Sequence, residues 1–81
     1  MTVIKNSVFY VLEKFPGRSD DIKRLFRESE EFQIVCEDYR QCAEALRHWK
    51  QSAENDAPAR RQEYEGLLRE LVEEIRHCLK G

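Results

Sequence analysis

Two prolines and three glycines among 81 residues are too few for a chain built from many tight turns, and they favour a small number of long elements. Cysteine is present three times, an odd number that closes no disulfide framework, so the three are expected as free thiols in a reducing cytoplasm. No apolar run approaches the ~20 residues of a membrane span. The opening MTVIKNSVFYVLEKF is broken by Lys5, Asn6 and Ser7 and again by Glu13 and Lys14, which leaves no continuous signal-peptide core. An excess of one charge is also missing. With 14 Lys and Arg against 16 Asp and Glu, the net charge of −2 supplies no attraction to DNA, RNA or an anionic membrane. At this length a catalytic cleft is hard to bury, so a monomeric enzyme is disfavoured from the start.

Set against these absences are 41% hydrophobic residues, with four Phe, three Tyr and one Trp, enough to exclude a disordered chain. Their spacing is helical. In the first segment Ile4, Val8, Val11, Leu12 and Phe15 fall on one face, and predict a helix over about 3–14. The β-branched residues there would also suit a strand, but a single strand has no partner within this chain. Pro16-Gly17 then interrupts. Ser19 is expected to cap a second helix over about 20–29, with Asp20 and Asp21 in its first turn and Ile22, Leu25 and Phe26 on its apolar side.

A new stripe follows: Phe32, Val35, Cys36, Tyr39, Cys42, Ala43, Leu46 and Trp49. It is about a quarter turn out of phase with Ile22, Leu25 and Phe26, which predicts a break near Ser29-Glu30 rather than one straight helix. A third helix is then expected over about 30–53, a linker over 51–58, and a last helix over about 58–79. On that last helix Tyr64, Leu67, Leu68, Leu71, Val72, Ile75, Cys78 and Leu79 form the apolar side, Glu65 and Arg69 are placed for an ion pair, and Gly81 ends the run. The expected fold is all-α: one domain over 1–81, an antiparallel helical hairpin with short amino-terminal helices packed at one end.

Chemistry-bearing residues are present, but their spacing does not gather them. Cys36 and Cys42 are about 120° apart around one helix, His48 points away from the apolar stripe, and adjacent His77 and Cys78 diverge. No Gly-rich loop precedes a helix to cradle phosphate, and no Ser, His and Asp set has a scaffold. Hence no catalytic residue, metal site or cofactor is expected. The three cysteines read as small core residues.

The residues from Ile22 through Leu25, Ser29, Phe32, Cys36 and Tyr39, followed by RRQEYEGLLRELVEEIRHCL, resemble small bacterial proteins of unknown function that form helical hairpins. That resemblance implies a bacterial cytoplasmic helical protein and brings no catalytic or cofactor residues with it. The expected function is a non-catalytic helical interaction or regulatory module with an unidentified protein partner, homodimeric, and binding neither nucleic acid nor membrane. The alternative is a thiol-based metal- or ligand-binding sensor. The candidate interface is a ridge of Val8, Val11, Phe15, Phe26 and Trp49, with the junction at Phe26 as its binding corner.

Overall fold

The computed structural model describes residues 4–80, with side chains from Ser7 onward. Val3 and Gly81, expected at the start of the first helix and the end of the last, lie outside the described residues, as does the side chain of Ile4. Four α-helices follow one another: α1 over Ile4–Lys14, α2 over Ser19–Glu28, α3 over Glu30–Lys50 and α4 over Ala57–Lys80. A short 3₁₀ turn, Pro16–Arg18, leads from α1 into α2. The chain is therefore all-α, as its periodicity predicts, and α3 and α4 form the antiparallel hairpin.

The expected break between α2 and α3 occurs at Ser29. Its backbone is extended (φ −128°, ψ 116°), its N–H donates to the Leu25 carbonyl, and its Oγ accepts from the Phe32 N–H at 3.1 Å. One residue thus ends α2 and caps α3, with Glu30 and Glu31 complementing the dipole of the new first turn. Gln33 Nε2 reaches back to the Phe26 carbonyl, satisfying an acceptor that the end of α2 leaves open. Replacing Ser29 by Ala should lower stability by about 1 kcal/mol, seen as a fall of roughly 4–8 °C in the melting temperature, and Ser29→Asp should recover most of it. Equal melting of wild type and Ser29→Ala by circular dichroism would show that the cap carries no weight.

Three local expectations are corrected. Ser19 does not cap α2: the preceding 3₁₀ turn draws it into the first helical turn, and its hydroxyl donates back to the Pro16 carbonyl instead. Helix α3 stops at Lys50 rather than near 53, because the Gln51 N–H turns onto the His48 and Trp49 carbonyls and Ser52 Oγ takes the Glu54 N–H. Glu65 and Arg69 form no ion pair, whereas Arg60 pairs with Asp56 and Glu63 and Arg76 pairs with Glu73.

Helix α1 lies along α3 and antiparallel to it. The Tyr10 hydroxyl donates to Glu44 near the far end of α3, while Phe15, at the other end of α1, sits under the Arg76 guanidinium of α4 at 6.0 Å. The α1–α2 junction is fastened to the end of α4 by Arg18 Nη2, which donates to the Leu79 carbonyl at 2.7 Å. Between these elements Val11, Ile22, Phe32, Cys36, Tyr39, Ile75 and Leu79 form one buried cluster, with Ile22 and Ile75 wholly enclosed. Cys42 Sγ donates to the Tyr64 carbonyl at 3.4 Å and ties the hairpin together further along. Helix α1 packs along α3 on one side of the hairpin, while the opposite side is bordered among the described residues by α2 only at one end, through Leu25.

Candidate interaction surface

The five residues expected to form a ridge do not share one surface. Val11 is completely enclosed in the core, because α1 settles onto α3 along the face that carries it. Val8, Phe15 and Phe26 are half-buried and pack against that same core. Trp49 is half-buried at the end of α3, with the His48 ring edge-on to it at 5.0 Å, about 28 Å along the helix from the Ser29 break that adjoins Phe26. Residues that periodicity assigns to exposed apolar faces are thus divided between the core and two ends of the molecule.

The open apolar surface lies on the other side of the hairpin. Along α3, Val35, Cys42 and Ala45 line a trough whose opposite wall is Tyr64, Leu71 and Cys78 of α4, with Ile34 and Leu67 at its edges. Ile34 is 61% exposed and Leu67 48% exposed, two of the most exposed large apolar side chains among the described residues. From Glu31 to Ala45 the trough runs about 21 Å, or four helical turns. Its walls follow from spacing: Glu31, Ile34, Val35, Asp38, Cys42 and Ala45 recur at three- and four-residue steps on α3, as do Tyr64, Leu67, Leu71, Glu74 and Cys78 on α4.

Every charged residue lining the trough is acidic: Glu31, Asp38, Glu70 and Glu74. None of the four takes part in an ion pair among the described residues. Elsewhere several carboxylates are matched by arginine, while Glu13, Asp20, Glu30, Glu54 and Glu65 also stand outside the ion pairs of the described residues. Arg40 lies between Glu37 and Glu44 and lowers the pKa of Glu37, and Arg18 and Arg24 hold Asp21 below the usual carboxylate range. The trough therefore concentrates unbalanced negative charge on a chain whose net charge is only −2.

Cys36 and Cys42 are buried, whereas Cys78 is half-buried beside the trough. Burial pushes Cys36 up to about 12, with Cys78 adding to the effect, and burial also raises Cys42 and Cys78. Cys78 is raised further by the neighbouring carboxylates of Glu74 and Glu31. These shifts work against the thiolate form that metal coordination and disulfide exchange use. Among the described residues no group of three or more His, Cys, Asp or Glu is gathered in a way that could hold a metal ion. No described helix is long and apolar enough to cross a membrane.

The candidate interface read from the sequence leaves out Ile34, Leu67 and the four carboxylates. One signal for the trough is present: Ile34-Val35, Leu67-Leu68 and Leu71-Val72 are adjacent apolar pairs, and a helix with such pairs is apolar on a face wider than one neighbour covers. On α4, Leu68 and Val72 face the side of α1, where Lys14 lies beside them, while Leu67 and Leu71 face the trough. Comparison of the chain with protein-family models, curated proteins and solved structures finds no match. Its function is therefore read from its own residues.

Proposed function

We propose that the protein is a non-catalytic helical module that binds another protein through the face of the α3/α4 hairpin opposite α1. The observation that carries this reading is the apolar trough edged by Ile34 and Leu67 on a hairpin whose other side carries α1. Covering such a trough removes apolar area from water, and side chains half-exposed on a rigid helix lose little freedom when covered. The free thiols fit a reducing cytoplasm as the place of action.

A symmetric dimer through this face is disfavoured, because a two-fold axis would set Asp38 and Glu74 against the same acidic edges of a second copy. The partner is accordingly a different chain. Affinity capture from lysate of the source cells, run side by side with wild type and the Ile34→Ser/Leu67→Ser double variant, tests the reading. Both positions are substantially exposed, so the variant should melt within a few degrees of wild type. The expected result is at least one captured protein that is lost with the variant. An identical captured set for both proteins would overturn the assignment of this face.

A further inference from the structure

We infer that the occupant of the trough is a basic amphipathic helix of another protein, one that lays an apolar stripe between α3 and α4 and sets lysine or arginine against Glu31, Asp38, Glu70 and Glu74. This rests on the interaction reading above and specifies the partner's chemistry.

The shape favours a helix. Two antiparallel helices offer no strand edge for an extended peptide to pair with, whereas side chains at three- and four-residue steps on both walls make the ridges and grooves that accept a third helix. The protein supplies its own precedent on the opposite face. There α1 is a helix with Val8, Val11 and Leu12 turned to the core and a polar group, the Tyr10 hydroxyl, meeting a carboxylate of α3 at the edge. The trough's length of about 21 Å corresponds to a partner segment of about 14 residues.

The charge decides which helix. Covering four carboxylates with an apolar or acidic partner would strip them of water with no compensation, and that cost is large. No lysine or arginine of this chain lines the trough, and none neutralises the four groups in the described residues. Glu31 and Glu74 line the same stretch of the trough as Cys78, which places two of the carboxylates beside its apolar floor. Cations on the partner would meet all four while its apolar stripe meets Val35 and Leu71.

The test uses the full chain and three synthetic peptides of about 16 residues. One has a leucine stripe flanked by lysine and arginine, the second has the same stripe flanked by glutamate, and the third is the basic peptide scrambled to destroy the stripe. Binding is followed by fluorescence anisotropy and mapped by amide chemical-shift perturbation. The basic striped peptide is expected to bind, with perturbations centred on Ile34, Asp38, Leu67 and Leu71. Its affinity should drop at least about tenfold between ~0.01 M and ~0.15 M salt, over which the Debye length shrinks from ~30 Å to ~8 Å. Asp38→Lys/Glu74→Lys should weaken it by at least about tenfold and should favour the glutamate peptide instead. Should that reversal lower the melting temperature, Asp38→Gln/Glu74→Gln takes its place with a smaller expected loss in the same direction.

Equal binding of the basic and glutamate peptides in the trough would overturn the basic partner and leave the interaction surface standing. Perturbations confined to the outer side of α1, where Phe9 is 60% exposed, would overturn both. So would concentration-dependent shifts at the trough without peptide, which would mark a second copy as the occupant. Binding of the scrambled peptide as tightly as the striped one would show charge attraction alone and would overturn the helix.

Discussion

Phe32→Ala should lower the free energy of unfolding by about 3–5 kcal/mol, the cost of emptying a large aromatic site that its neighbours cannot refill. Phe32 is 1% exposed and sits in the first turn of α3, where its own N–H is held by Ser29 and its ring enters the cluster shared by α1, α2 and α4. At roughly 0.05–0.15 kcal/mol per residue a chain of this size has only a modest total stability, so such a loss should cut the melting temperature by more than about 15 °C. Phe32→Leu keeps most of the volume and should cost about half as much or less, giving a variant that still shows a cooperative transition. Leu67→Ala, at the edge of the trough, should cost less than about 1 kcal/mol because half of that side chain is already in water. Urea unfolding of the three variants checks the ordering. If Phe32→Ala and Leu67→Ala fall together, the core is not organised around the start of α3.

The break that presents Phe32 to the core is legible in the sequence because phase is a local property: Ile22, Leu25 and Phe26 cannot share a straight helix face with Phe32, Cys36 and Tyr39. The hairpin is legible for the same reason, together with a linker too short to let α4 run any way but back. The missing cap at Ser19 was not, since it depends on a 3₁₀ turn formed by the three residues before it. Nor was the candidate surface. Periodicity states which residues of a helix are apolar, but which neighbour covers them is decided by how α1 settles onto the hairpin. Val11 became core and Ile34 and Leu67 became surface through that single choice of face. The acidic character of the trough is less visible still, because Glu31 and Asp38 meet Glu70 and Glu74 only after the chain turns back on itself, and along the sequence each sits in an ordinary mixture of charges.

Raising the pH should unlock the core through Cys36. Its thiol is shifted from 9.0 to about 12, first by burial and then by the proximity of Cys78, so between these values the unfolded chain gives up the proton and the folded chain retains it. The unfolded state then binds fewer protons than the native one, and stability must fall as pH rises. Full stability is present below about pH 9, and the loss from this one group approaches about 1.4 kcal/mol per pH unit midway between 9 and 12, slackening as the folded thiol itself ionises. Tyr10, Tyr39, Cys42 and Cys78 are raised as well, so the informative quantity is the difference in slope between wild type and Cys36→Ala. Cys36→Ala should be less stable at neutral pH through lost packing, yet lose stability more slowly above pH 9. The same shift protects the thiol: at pH 8 its thiolate fraction should be ~10³-fold below that of an ordinary thiol, so alkylation of Cys36 should proceed only through unfolding. Half-exposed Cys78 should react well before it. Parallel pH slopes for the two proteins, or labelling of Cys36 at the rate of Cys78 in native buffer, would show that the thiol is not enclosed by α1 and α4.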